Sequence, residues 1–312
     1  MARQLRIEYP GAFYHITSRG NQKERVFFSD PDRIVLLDYL REANKKYGAV
    51  IHTYCLMDNH YHLLLETPYA NLSKIMHFIN TSYTIFFNTK HSRVGHLFQG
   101  RFKAILLEAD SYAQELSRYI HLNPVRAGIG TRPEEYAWSS YLTFISERQP
   151  APWLNTDMVL GYFDQDLRIA RTRYAAFVLA AIGKEEDNPL TKVDPSLILG
   201  SDHFVAKIKA AFLSDKTENR EVPAIRRLKE RPSIETIQRA VEQTLGAKNR
   251  FARNAAIFLC HTRTDYALKE ISEFYSIGKS AIASVCRQMT ENLTWNKVLK
   301  NTIDEIAKSL FK

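Results

Sequence analysis

Two histidines stand two residues apart in "MDNHYHLLLE" (57–66), at the mouth of an apolar run. In an extended chain residues i and i+2 face the same side, so His60 and His62 aim both imidazoles at one point while Tyr61 faces away. Two imidazoles converging from one strand could hold a divalent metal, or they could be ordinary strand residues beside a turn. A second constellation lies in "SRYIHLNPVRAG" (117–128). Tyr119 and Asn123 are four apart, hence on one helical face, and the amide oxygen of Asn123 is a hard ligand atom. His121 lies two positions from each and points elsewhere. Tyr112, Leu116, Tyr119 and Ile120 also form an apolar stripe in which Tyr119 could be simple core.

The elements that must position these residues alternate over the first part of the chain. "AFYHITSRG" (12–20) reads as a strand. "DPDRIVLLDYLREANKKYG" (30–48) reads as a helix, with Asp30 as N-cap, Pro31 in its first turn and Gly48 past its end. "AVIHTYCLM" and "HYHLLLET" are β-rich runs separated by Asp58-Asn59, a hairpin signal. "NLSKIMHFINTSYTIFFNTK" (71–90) has apolar residues at helical spacing. The loop "HSRVGHLFQGR" leads to a strand over 102–109, and a last helix covers 110–123, capped by Asp110 or Ser111 and followed by Pro124. The order β-α-β-β-α-β-α predicts an α+β fold: a ferredoxin-like βαββαβ antiparallel sheet with helices on one face plus one further helix.

Residues 130–170 are less regular, but "RPEEYAWSSY" and "QPAPWLNTD" are rich in aromatic residues suited to burial, which predicts an ordered extension. From about 171 the chain reads as helical, interrupted at "KEEDNPL" and at the charged, proline-containing "KTENREVPAIRRLKERPS", the best linker. Beyond it, "SIETIQRAVEQTLG", "RFARNAAIFLCHTRT", "YALKEISEFYS" and "KSAIASVCRQMTENL" predict a compact all-α domain. The expected division is 1–145, an extension over 146–230, and a helical domain over 231–312.

A formal charge of +9 across 312 residues favours an anionic partner, for which nucleic acid is the common case. Cys55, Cys260 and Cys286 are an odd number without paired spacing, which argues against a disulfide framework and against a cysteine-based zinc site. No apolar run reaches the ~18 residues of a membrane span, and the N-terminus lacks the apolar core of a secretory signal. The expectation is a cytoplasmic protein without a membrane partner.

"HYH" after a hairpin turn, "LFQGRFKA" before the last strand and "YIHLNPVRAG" on the following helix together resemble the single-tyrosine HUH transposases, in particular the bacterial REP-associated tyrosine transposases. "FYHITSRGN", "YAWSSY" and "PWLNTD" are similar as well, so the resemblance spans about residues 10–160. It implies a single-stranded DNA endonuclease and strand transferase. Tyr119 would be the nucleophile forming a 5′-phosphotyrosine link, and His60, His62 and Asn123 the ligands of one Mg²⁺ or Mn²⁺. The family often has glutamine at the third ligand position. The implied substrate is a DNA hairpin with a single-stranded flank. Arg19, Lys23, Arg25, Arg93, Arg101 and Lys103 would neutralise its phosphates, and Phe98, with Phe102 and Tyr61, would stack on bases. The resemblance leaves open a monomer or a homodimer. Two other readings remain beside it: an HUH nickase of replication or plasmid transfer, and a regulator that binds DNA without cleaving it.

"YALKEISEFYSIGKSAIASVCRQM" has the pattern of a helix-turn-helix, and with "RNAAIFLCHTRT" it resembles the DNA-binding domain of the DnaA replication initiator. Gly278-Lys279-Ser280-Ala281 stands where that initiator has a polar Asp-His-Ser-Thr signature. Lys279 and Ser280, with Arg250, Arg253, Arg263 and Arg287, are the expected duplex-contacting residues; a protein-binding module is the alternative.

Overall fold

The computed structural model describes residues 6–146, 149–184, 188–212, 232–246, 250–264 and 266–311. The expected linker falls almost entirely on 213–231, outside the described residues.

The first seven elements follow the expected order: β1 (Ala12–Arg19), α1 (Asp30–Tyr47), β2 (Val50–Met57), β3 (His60–Thr67), α2 (Leu72–Lys90), β4 (Lys103–Leu107) and α3 (Ala109–His121). The sheet order is β2-β3-β1-β4, all antiparallel, with the ferredoxin-like pairing. A short strand the sequence does not reveal, β5 (Ile198–Leu199), adds parallel to the end of β4, so the sheet is mixed.

Two helix termini differ from expectation. Ser29, in an extended conformation, takes the N-cap position of α1, and its N–H donates to Asp32 Oδ2 at 2.9 Å; Asp30 is the first helical residue. Helix α3 begins at Ala109 because Glu108 is held in the N-cap position, its N–H bonded to Leu199 O and its carboxylate to Ser201. The helix also ends at His121, and a separate turn, α4 (Asn123–Arg126), starts at Asn123 with Pro124 in its first turn.

Both sheet faces are covered, which explains why β3 is an almost continuous apolar run rather than an alternation. On one face α1 and α2 pack over Tyr14, Ile16, Tyr61, Leu63 and Leu65. On the other, α3 packs with three later helices, α5 (Tyr141–Ile145), α6 (Asp157–Leu160) and α7 (Leu167–Leu179), over Leu64, Ile105 and Leu107. The aromatic-rich extension is thus a layer of the structure. His121 locks it down: its Nδ1 lies 2.6 Å from the Tyr174 hydroxyl and its Nε2 2.8 Å from Ser140 Oγ, all three side chains buried.

After α8 (Asp202–Phe212) and the undescribed segment, five helices share their own core: α9 (Ile234–Leu245), α10 (Arg250–Arg263), α11 (Leu268–Tyr275), α12 (Lys279–Trp295) and α13 (Lys297–Leu310). The last of these is an addition to the expected set; Asn296 caps it by accepting from Leu299 N at 3.0 Å. Ser276 adopts a left-handed conformation between α11 and α12, which makes the turn. Cys55 and Cys260 are buried free thiols, and Cys286 is a half-buried one.

Candidate active site

The β1–β3 register puts Thr17 opposite His62 and Arg19 opposite His60, so one sheet face carries His15, Thr17, Arg19, His60 and His62. Tyr61 points through the sheet to the other face, where its buried hydroxyl donates to Asn80 Oδ1. The Asp58-Asn59 turn that presents His60 is tied down from several directions. Gly20 N–H donates to Asn59 O and Val26 N–H to Asp58 O, both at 2.8 Å, and the Asp58 carboxylate meets Arg33 and Arg25. Gly20 is required by its own tight loop, since a Cβ there would lie 2.1 Å from the carbonyl oxygen of Glu24.

Each histidine has one ring nitrogen committed. His60 Nδ1 is 2.6 Å from Asn59 Oδ1, an oxygen that can only accept, so His60 carries its proton on Nδ1 and leaves Nε2 as a lone pair when neutral. His62 Nδ1 is 2.9 Å from His15 Nε2, with the two rings nearly parallel at 4°, and 3.4 Å from Thr17 Oγ1. His62 Nε2 is buried without a hydrogen-bond partner. Burial pushes His15 down to about 3, with Lys103 adding to it, and His60 down to about 4, with Arg19 adding to it. Burial, then His15, His60 and Arg19, hold His62 well below the ordinary histidine value. All three are neutral near pH 7, the form in which imidazole binds a metal. A buried nitrogen without a partner beside a second lone pair, on rings 4.8 Å apart, fits a cation ligand pair.

The Tyr119 ring stands edge-on to His62 at 6.1 Å and to His15 at 6.0 Å. It is half-buried: burial raises its pKa, and Arg126, whose guanidinium carbon is 4.9 Å above the ring, opposes that rise. Asn123 sits one turn on, its Nδ2 donating to Tyr119 O at 2.8 Å, which leaves the amide oxygen as the atom it could offer a cation. The structure therefore sets the Tyr119 ring beside His62 and His15, with His60 next to His62 and Asn123 bonded to the Tyr119 carbonyl. The sequence reading missed His15, Thr17 and Arg126. The alternation of β1 could have placed His15 and Thr17 on one face, but only the register says which face of β3 they join.

Arg19, Lys23, Arg25, Arg101 and Lys103 are exposed, and Arg93 is partly so. Arg25 pairs with Asp58 at 3.4 Å and Arg93 with Glu24 at 2.7 Å. Three aromatic expectations need correction: Phe102, expected to stack on bases, is 9% exposed beneath the Arg6 guanidinium. Phe98 is 8% exposed and edge-on to the fully buried Tyr61, so both belong to the core under the sheet and neither offers a stacking surface. In the helical domain Lys279, Ser280 and Arg287 are exposed at the start and along α12. Arg253 instead donates to Tyr275 O, and Arg263 is buried against Tyr69. The side chain of Arg250 lies outside the described residues.

Residues 9–123 match the model of a family described as IS200-like transposases. No curated protein sequence matches. A solved structure described as a REP-associated tyrosine transposase bound to a REP hairpin aligns with a TM-score of 0.42 and 16% identity, over 50% of this chain and 92% of that chain. The matched segment begins just before β1 and ends on Asn123, enclosing the paired histidines and the tyrosine.

Proposed function

We propose that this chain is a transposase of the REP-associated tyrosine type, which cuts and rejoins single-stranded DNA beside hairpins. The observation that carries the reading is the meeting of Tyr119 with two neutral imidazoles, one of them with a buried, partnerless Nε2. His60 and His62, with Asn123, would hold one Mg²⁺ or Mn²⁺, which when bound polarises a non-bridging oxygen of the scissile phosphate. Tyr119 Oη forms a bond to phosphorus as the bond to the 3′ oxygen breaks; the tyrosine proton is lost and the departing oxygen leaves as a 3′-hydroxyl. The product is a 5′-phosphotyrosine that a 3′-hydroxyl can reverse, so strands join without an external energy source. Arg19, Lys23, Arg101 and Lys103, which have no carboxylate partner among the described residues, flank this face and would hold backbone phosphates. Lys279, Ser280 and Arg287 on α12 would form a second surface, for duplex DNA.

A labelled single-stranded hairpin panel incubated with the protein and Mn²⁺ or Mg²⁺ should give a covalent adduct that Tyr119→Phe abolishes. An adduct that survives Tyr119→Phe means another nucleophile. Tight hairpin binding with no metal-dependent adduct means a regulator that does not cleave.

A further inference from the structure

His60, His62 and Asn123 make an uncharged donor set. Both histidines are neutral near pH 7, and among the described residues no carboxylate joins them in a metal-holding group. A divalent cation there would keep nearly its whole charge. The strand register places two more positive charges beside it. Arg19 stands directly opposite His60, and Thr17 directly opposite His62, with Thr17 Oγ1 3.4 Å from His62 Nδ1. Lys103 stands opposite Thr17 on β4, so His62, Thr17 and Lys103 form one row across three strands with their side chains on one face. The alternate β4 residues Ile105 and Leu107 pack with Leu64 and Leu116, which fixes that face as the one α3 and Tyr119 lie on.

Arg19 and Lys103 are exposed and meet no carboxylate among the described residues. The other cations expected to hold DNA, Lys23, Arg25, Arg93 and Arg101, lie outside the strands. After burial, and for His62 after the neighbouring rings, Arg19 is a further cause of the low values of His60 and His62, as Lys103 is for His15; both charges are felt at the rings. At about 5–10 Å, one to two strand spacings, they repel a divalent cation and attract a phosphate. A phosphate lodged among them answers both, with one non-bridging oxygen for the cation and the other for the ammonium or guanidinium. Resting on the proposed strand-transfer reading, we propose that Arg19 and Lys103 make metal loading depend on DNA: they seat the scissile phosphate against His60 and His62 and weaken the site for its cation until that phosphate arrives. Metal and strand then bind with positive coupling, each raising the affinity of the other by the same factor. The cleaving form assembles on the strand.

The test is calorimetric titration of the full chain with Mn²⁺ at about 10 mM ionic strength, where charges act over ~30 Å. Without DNA, Lys103→Met and Arg19→Met should each bind Mn²⁺ about three- to tenfold more tightly than the parent. In EDTA the same variants should bind labelled stem-loops with single-stranded flanks more weakly, by up to about fivefold. The opposite signs are the signature, because a variant that merely loosened the fold would lose affinity for both. Lys103→Arg keeps the charge and should match the parent, and salt at about 1 M, where the screening length is ~3 Å, should erase the gain. In a Tyr119→Phe background, which prevents the adduct, a saturating stem-loop should tighten Mn²⁺ binding about tenfold. If the two Met variants bind Mn²⁺ no more tightly than the parent, bind stem-loops equally well, or if the stem-loop leaves Mn²⁺ affinity unchanged, the coupling fails while the ligand pair stands. If no Mn²⁺ binds with or without DNA, or no stem-loop binds at all, the strand-transfer reading fails and takes the coupling with it.

Discussion

His62 can serve a cation only in one tautomer, and the residue that decides the tautomer is His15. With Nε2 turned to a metal, His62 must carry its proton on Nδ1 and donate it to His15 Nε2, 2.9 Å away. Partners of this kind orient a ligating ring and raise its basicity. Replacing His15 by leucine leaves His62 free to take the other tautomer, and Mn²⁺ affinity measured by calorimetry should fall about 10- to 100-fold. His15→Gln, whose side-chain oxygen can accept the same hydrogen, should recover most of the loss. Equal affinities in the three proteins would remove His15 from the site; no binding to the parent would remove the metal. His15 was visible in "FYHITSRG" as a strand residue. Its partnership was not, because it arises diagonally across two strands joined only through α1 and β2.

At the scale of elements, the β2–β3 hairpin is the device that aims His60, and Gly20, just past β1, holds its turn by donating to Asn59 O. In Gly20→Ala the new methyl would collide with the Glu24 carbonyl, a backbone atom that cannot step aside cheaply. Overpacking of this kind costs about 1–3 kcal/mol. Urea denaturation should show that loss, and Mn²⁺ affinity should fall with it because the turn holds Asn59, the partner of His60 Nδ1. A variant as stable as the parent would mean that the turn relaxes freely. The first seven elements were legible in the sequence because each carries a local signal: the Asp58-Asn59 turn, Pro31 and Gly48 bounding a helix, and helical spacing through α2. What was not legible depends on partners elsewhere in the chain. β5 has two residues, too few to alternate, and exists because Leu106 and Glu108 bond to it. Phe98 sits in a polar, glycine-flanked loop that reads as surface, yet Gln99 N–H bonds to Arg19 O and folds that loop onto the sheet. At the candidate site, strand alternation put His60 and His62 on one face, but spacing left Tyr119 indistinguishable from core, and only the family resemblance singled it out.

Across the whole molecule, the sheet domain and the helical domain meet at helix ends. Helix α10 stops with its last carbonyls needing donors, and α2 provides them from its opening turn: Asn71 Nδ2 donates to Thr262 O at 2.7 Å and Lys74 Nζ to His261 O at 2.6 Å. A lysine at a helix C-terminus also answers the negative end of that helix dipole. Arg263 completes the contact over Tyr69, 4.5 Å from the ring, which is why it is buried rather than offered to DNA. Tyr69 follows β3, an eight-residue strand with His60 at its far end, so the contact and His60 are separated by about 25 Å. The double variant Asn71→Ala, Lys74→Met strips two donors from buried carbonyls, at about 1–3 kcal/mol each. Each domain has its own core and should stay folded, so the expected result is a larger radius of gyration by solution scattering. Adduct formation on a short hairpin should be unchanged, because nothing near Tyr119 has moved. Affinity for a hairpin extended by duplex should drop toward that of the short hairpin, since the α12 surface would no longer be held in register with the catalytic face. Unchanged scattering would show that the remaining contacts suffice to dock the domains. An enlarged particle that still favours the extended duplex would show that the helical domain contributes nothing to binding DNA through its fixed position.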